Sequence, residues 1–144
     1  MIKIICVGKI KEDYLSNLIS DYYKRISKYH KINIIEVKDS NIKDEAIEIN
    51  KYLNKQDYII CLCIEGRKIN SMEMAKLIND TFNHYGCITF IIGGSDGIDN
   101  SIKEKANYCL SFSDLTFPHG LFRGILLEQI YRSFKINNNE KYHK

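Results

Sequence analysis

The chain closes on Lys141, Tyr142, His143 and Lys144, with Arg132 a short distance upstream, and these side chains suit a polyanionic substrate. An imidazole titrates near neutrality and can take a proton. A phenol ring can stack on a base, and Arg132 and Lys144 can hold a phosphate or a developing oxyanion. The charge here is local: Arg132, Lys135, Lys141 and Lys144 against Glu140 give +3, the formal charge of the whole protein with histidine neutral. Everything before Arg132 sums to zero. By position alone, His143 is simply a histidine on a polar tail.

Three other segments carry ligand-type chemistry. Gly93-Gly94-Ser95-Asp96-Gly97 follows an apolar run, and glycines there permit positive φ and close approach of a ligand to the backbone. It lacks both the G-x-G-x-x-G spacing and the Lys-Ser/Thr of a phosphate loop, so alone it reads first as a sharp structural turn. Ser111 to Pro118 is polar, and Ser113, Asp114 and Thr116 suit capping of the following helix and ligand binding equally. Glu65 to Lys68 reads as a third turn. His119 is either a first-turn donor or a substrate contact, and His30 and His84 fall in connections with no assigned role.

The elements that must position these segments alternate along the chain. MIKIICV, KINIIEV, YIICLCI and CITFII are short, isoleucine-rich and nearly continuous, as strands covered on both faces are. A fifth strand is expected at Tyr108 to Ser111. Leu15, Leu18, Ile19, Tyr22 and Ile26 recur at helical spacing within Glu12 to Lys28. Further helices are predicted over Ile42 to Leu53, Ser71 to Tyr85 with Asn70 or Ser71 as cap, a weak one over Ile98 to Ala106, and a last one from Pro118 to about Ile136. This order predicts an α/β protein with a mostly parallel sheet flanked by helices, in one domain over 1–144. Ligands of such sheets bind at the carboxyl edge, which selects the turns after the third, fourth and fifth strands.

Composition narrows the classes. Hydrophobic residues at 44% and charged residues at 27% are ordinary globular values. No run is long enough to span a membrane, and MIKIICV is too short for a signal peptide. A cytoplasmic protein without membrane contact is expected. The five cysteines lie mostly in strand-like runs and read as small hydrophobes in a reducing compartment. Cys61 and Cys63 share a strand face, but no Cys-x-x-C or His cluster completes a metal site, so no metal is expected.

The IIGGSDG loop, the segment LTFPHGLFRGILLEQIYRSFKI, the terminal YHK and the opening MIKIICVGKIK together resemble the bacterial methyltransferases that modify N3 of a pseudouridine in 23S rRNA. These are SPOUT-class enzymes that use S-adenosylmethionine. The resemblance runs the whole length of the chain. It implies a SPOUT-type sheet with a C-terminal trefoil knot and activity on the assembled ribosome. It also implies a homodimer in which the tail of one subunit completes the pocket of the other. The cofactor pocket then falls on Leu62, Gly94, Ser113, Asp114, Leu115, Thr116, Phe117 and Pro118, and catalytic roles on His143 as base, Tyr142 and Arg132. Phe117 stands where leucine is expected. Gly124 interrupts the last helix, where it would permit close approach at an interface. That helix carries a wide apolar stripe of Leu121, Phe122, Ile125, Leu126, Ile130, Tyr131 and Phe134, which is core in the usual case and dimer surface where it exceeds one sheet face. A non-catalytic RNA-binding α/β protein using the same basic tail is the alternative.

Overall fold

A computed structural model describes residues 1–144. Strands β1 (Ile2–Val7), β2 (Ile32–Val37), β3 (Tyr58–Lys68), β4 (Ile88–Ile92) and β5 (Tyr108–Ser111) alternate with helices α1 (Asp13–Ser27), α2 (Ile42–Asn50), α3 (Ser71–Phe82), α4 (Asn100–Lys103) and α5 (His119–Asn137). The strands form one sheet in the order β2-β1-β4-β3-β5, and every neighbouring pair is parallel.

The isoleucine-rich runs are continuous because both faces of the sheet are covered. Ile2, Ile4, Cys6, Ile60, Leu62, Ile88, Phe90, Ile92 and Leu110 pack against α1, α3 and α5. The residues between them, including Ile5, Val7, Ile59, Cys61 and Ile91, pack against α2 and α4. The period of two along each strand divides one core into two layers. Cys6 and Cys61 are buried, and burial pushes the thiols of Cys6, Cys61 and Cys63 up to about 12. All three therefore stay protonated near neutrality.

Three boundaries differ from the sequence expectation. Glu65 to Lys68 is not a turn but the end of β3: pairing to β5 breaks after Leu62 and resumes at Arg67 and Lys68, leaving Cys63 to Gly66 as a bulge. Gly66 is required there, because a Cβ would lie 2.7 Å from the carbonyl carbon and oxygen of Cys109. The helix expected over Ile98 to Ala106 shrinks to α4, where the Asp99 carboxylate accepts from Ser101 N and sets the start. The ends of α2 and α3 come three residues early. Asn70 is the cap of α3, in a full capping box with Glu73.

Helix α5 lies between α1 and α3, and its apolar stripe is mainly core. Leu126, Ile130, Tyr131 and Phe134 are buried, Phe122 and Ile125 are half-buried, and Leu121 is exposed. Gly124 does permit close helix approach, but to α1 of the same chain: a Cβ there would sit 2.6 Å from Leu18 Cδ2. Gly120, one turn earlier, faces Leu15 and Ile10 in the same way. Arg123, buried between them, crosses to β2 and β1, its guanidinium donating to Glu36 at 2.7 Å and to the Gly8 carbonyl at 3.2 Å.

Candidate functional site

At the carboxyl edge, the ends of β3, β4 and β5 and the loops that follow them enclose a cleft of about 420 Å³. Its floor is apolar, made by Leu62, Ile92, Leu110 and Phe122. That size and character suit a small organic ligand held by a few polar groups.

The glycine loop forms one wall. It is both the sharp turn and the close-approach surface that its composition allows. Gly97 adopts φ +82 and its N–H donates to the Gly94 carbonyl at 3.0 Å, while a Cβ on Gly93 would collide with Gly97 oxygen at 2.6 Å. Gly94 lines the cleft through its backbone only. A side chain at 94 would point away from the ligand space, to 3.0 Å from Val7 Cγ1 and 3.1 Å from both Glu45 carboxylate oxygens. Glu45 is itself buried; it accepts from Ser40 N at 3.0 Å, and burial raises its pKa above the usual carboxylate value.

The loop from Phe112 to Pro118 forms the second wall. Ser113, Leu115, Thr116 and Phe117 line the cleft, as do Leu62 and Gly94. Ser113 Oγ accepts from Leu115 N at 2.9 Å, which curls the loop inward. Leu115 is 72% exposed, an apolar side chain held over the cleft mouth without a covering partner. Two expected residues fall outside the lining. Asp114 turns outward to Lys68 at 2.5 Å, because the Ser113 turn directs its side chain to the strand side. Pro118 serves as N-cap of α5, and His119 in the first turn lines the cleft in its place.

Sequence reasoning did not assign Cys63, Lys103 or Phe122 to the cleft, which all of them line, together with Glu65, from a segment the sheet-edge rule selects, and His119, read as a first-turn donor or a substrate contact. Glu65 and Lys103 pair across the rim; the ammonium lowers the Glu65 pKa and the carboxylate raises that of Lys103. Glu65 belongs to the β3 bulge and Lys103 to α4, so their meeting depends on long-range pairing that no local pattern signals. His119 had a signal, its place in the first turn after the cleft loop.

The tail residues form a second group, apart from the cleft. Parallel strands deliver their ends to the carboxyl edge, and α5 runs back from there toward the amino edge. Arg132 lies thirteen positions beyond His119, roughly 20 Å along the helix axis. There Asn139 takes φ 55, a left-handed turn that asparagine tolerates, and the chain folds back on α5. Tyr142 packs edge-on to Tyr131 with ring centroids 4.9 Å apart and donates to Glu128 Oε2 at 2.9 Å. Arg132 lies 4.8 Å from the centroid of the Tyr142 ring, and its Nε and NH2 donate to Glu128 at 3.2 and 2.8 Å. Its NH1 lies 3.0 Å from His143 Nδ1. A guanidinium only donates, so Nδ1 accepts and the imidazole proton resides on Nε2. The tail is therefore an ordered, hydrogen-bonded hairpin against α5, not a released polar end. Within one chain it does not meet the cleft.

No three His, Cys, Asp or Glu side chains gather as a metal-ligand set, and no helix is long and apolar enough to cross a membrane.

Residues 1–143 match the family described as "Predicted SPOUT methyltransferase". The chain belongs to the SPOUT methyltransferases. Full-length relatives agree. The Clostridium novyi protein named ribosomal RNA large subunit methyltransferase H is 45% identical, over 99% of both chains. Its Streptococcus equi subsp. zooepidemicus namesake is 43% identical with the same coverage. A Methanococcus maripaludis protein named putative ribosomal RNA large subunit methyltransferase H is 50% identical, again over 99% of each chain. Among solved structures, the A. aeolicus TrmH/SpoU tRNA modifying enzyme superposes with TM-score 0.51 at 13% identity. This chain is covered to 95% and that one to 77%. A probable methylase family protein from Haemophilus influenzae gives TM-score 0.55 at 13% identity, over 96% of this chain and 66% of that one. At such identities the two superpositions speak for the SPOUT fold alone.

Proposed function

We propose that this SPOUT protein transfers a methyl group from S-adenosylmethionine to N3 of a pseudouridine in 23S rRNA. The assembled ribosome is its substrate, a homodimer its working unit and the cytoplasm its place. The observation that carries the reading is the separation of two complementary half-sites, an apolar cleft at the carboxyl edge and a His-Tyr-Arg group at the amino edge.

The cleft residues fit the cofactor. Leu62, Leu115 and Phe117 offer an apolar slot for adenine, and the backbone of the Gly93–Gly97 and Phe112–Pro118 loops offers amides and carbonyls for the base edge. Ser113 and Thr116 add hydroxyls. When bound, S-adenosylmethionine supplies an electrophilic methyl on a sulfonium. Asp114 and Pro118 contribute to this pocket by shaping the loop, Asp114 through Lys68 and Pro118 as helix cap. The C-terminal trefoil knot belongs to the same reading. Its support is membership of the SPOUT family over residues 1–143.

The acceptor imide nitrogen must lose a proton before it is a good nucleophile. His143 of one subunit, brought to the cleft of the other, takes that proton at Nδ1 once Arg132 turns its NH1 from the imidazole to an RNA phosphate or carbonyl oxygen. Substrate arrival thereby frees the base. Arg132 stabilises charge building on the uracil-like ring, and Tyr142, whose ring is already covered by Tyr131 and Arg132, holds both in place through Glu128. Exposed Leu115, Leu121 and Ile64 near the cleft mouth supply apolar surface for the second subunit. The rate then comes mostly from holding acceptor and methyl in line.

Calorimetry with S-adenosylmethionine is the deciding experiment. Saturable binding to the wild-type protein, lost when Leu115 and Phe117 of the cleft loop are replaced by aspartate, is the expected result. A folded protein that binds ribosomes but no cofactor would instead be the non-catalytic RNA-binding alternative.

A further inference from the structure

The amino edge carries more positive charge than the His143, Tyr142 and Arg132 group uses. Lys24, Arg25 and Lys28 on the last turns of α1, Lys31 just beyond, and Arg132, Lys135, Lys141 and Lys144 near the end of the chain are eight cations. Only Asp21, Glu128 and Glu140 are set among them. The face thus holds an excess of five positive charges, more than the +3 of the whole chain.

Contacts between α1 and the tail join the Tyr22, Arg25 and Tyr29 side of the helix to the end of the chain. Tyr29 donates to Glu140 at 2.8 Å, and the Tyr22 and Tyr142 hydroxyls lie 3.4 Å apart. Arg25 sits 5.6 Å from the ring centroids of both Tyr22 and Tyr131, and Lys135 lies 5.5 Å from that of Tyr131. The three carboxylates are committed: Asp21 to Arg25, Glu128 to Arg132 and Glu140 to Lys135. Lys24, Lys28, Lys31, Lys141 and Lys144 are exposed and have no carboxylate partner.

A helix C-terminus favours cations, and that alone accounts for Lys24 and Arg25. It does not account for Lys31, Lys141 and Lys144. Moreover, Lys24 and Lys28 repel each other one turn apart, a modest cost that an anion lying along the face would relieve. Five unpaired ammonium groups spread over the amino edge suit a polyanion that follows a path and not a single small ion.

We propose that the end of α1 and the tail form a phosphate-binding face for the RNA backbone, so that the subunit donating the tail also carries the RNA. This rests on the methyltransferase reading above, and it divides the labour: one subunit holds the cofactor, its partner holds the substrate. The α1 lysines contribute affinity and not chemistry.

The test neutralises Lys24, Lys28 and Lys31 together as Lys24→Gln, Lys28→Gln and Lys31→Gln, with Lys55→Gln/Lys105→Gln as a control that removes two charges elsewhere, losses being compared per charge removed. Binding to ribosomes and to protein-free 23S rRNA is measured across a salt series, alongside methylation kinetics and cofactor calorimetry. Each lost phosphate contact lowers the slope of log K against log salt by about 0.7–0.9, so the triple variant should lose roughly two units. Its KM for ribosomes should rise at least about tenfold with kcat and cofactor affinity near the parent values. A parental salt slope and KM overturn the proposal, as does an equal loss in the control. Loss on ribosomes but not on protein-free rRNA also overturns it, in favour of an acidic ribosomal protein as the partner. Because the binding arm needs no turnover, a protein that holds RNA through this face yet binds no S-adenosylmethionine would refute the methyltransferase reading while leaving this face in place.

Discussion

Replacing Gly66 with alanine should be among the most damaging small changes this fold can suffer. The added Cβ would stand 2.7 Å from Cys109 carbon and oxygen and 2.8 Å from Leu110 carbon. All three are backbone atoms of β5, a strand paired with β3, so no side-chain rotation relieves the clash. Overpacking of a core by a methyl group costs about 1–3 kcal/mol, and a backbone contact belongs at the upper end. At this chain length about 2–3 kcal/mol corresponds to a drop in Tm of roughly 6–12 °C. Gly86→Ala is the matched control, because a Cβ there meets nothing within 4 Å and the residue does not have positive φ. It should be neutral or stabilise by up to about 1 kcal/mol through the unfolded chain. Urea unfolding of the two variants and the parent measures the difference. The bulge also lines the cleft, so cofactor affinity should fall for Gly66→Ala and not for Gly86→Ala. If Gly66→Ala unfolds at the parental urea concentration, β3 and β5 do not approach as described and the account of the bulge is wrong.

Deleting Lys141 to Lys144 should abolish turnover and spare cofactor binding, but it should also cost about 1–2 kcal/mol, since Tyr142 loses a hydrogen bond to a charged acceptor and its place under Arg132; unchanged urea stability would mean the hairpin is not formed in solution. His30 stacks on Phe82 with ring centroids 4.2 Å apart, and burial lowers its pKa below 6.5. The folded state thus resists protonation that the unfolded chain accepts, so this contribution is complete above about pH 6.5 and is lost as the pH falls through that value toward the folded pKa. His30→Phe should flatten the decline of the urea midpoint between pH 7.5 and 5, and an identical decline in both proteins would refute it. Light scattering should find two chains per particle at micromolar concentration, and one chain would remove the composite site. Mixing a tail-deleted chain with a Leu115→Asp/Phe117→Asp chain in equal amounts should restore methylation to about a quarter of the parental level, since half of the dimers are mixed and each has one intact composite site of two, whereas no recovery would place both half-sites in the same subunit.

Much of the fold was legible because its signals are local. Isoleucine runs covered on both faces lose the alternation of a half-exposed strand, and that continuity marks β1 to β4 in the bare sequence. Capping by Asn70 and the Pro118 start of α5 are equally local. The end of β3 was not legible: Glu65-Gly66-Arg67-Lys68 has the composition of a turn and is strand only because β5, some forty residues later, pairs with it. The length of α4 failed for the opposite reason, since Ile98 and Ile102 are core residues whose helical spacing needs only one turn to be satisfied.

The cleft followed from the strand order, because a parallel sheet gathers the turns after β3, β4 and β5 whatever they contain. Direction within those turns did not follow. Gly94 and Asp114 look alike in sequence as ligand contacts, yet the α-hydrogens of one face Glu45 and the carboxylate of the other faces Lys68. The same topology decides the tail. A helix that leaves the carboxyl edge of a parallel sheet must finish at the amino edge, so any catalytic group beyond α5 is delivered to the side of the molecule opposite its own cofactor cleft. In the proposed homodimer the tail of one copy meets the cleft of the other. Gly120 and Gly124 are spent on seating α5 against α1, so the proposed second copy has to use the exposed apolar residues at the cleft mouth, and in that arrangement the cationic end of α1 travels with the tail.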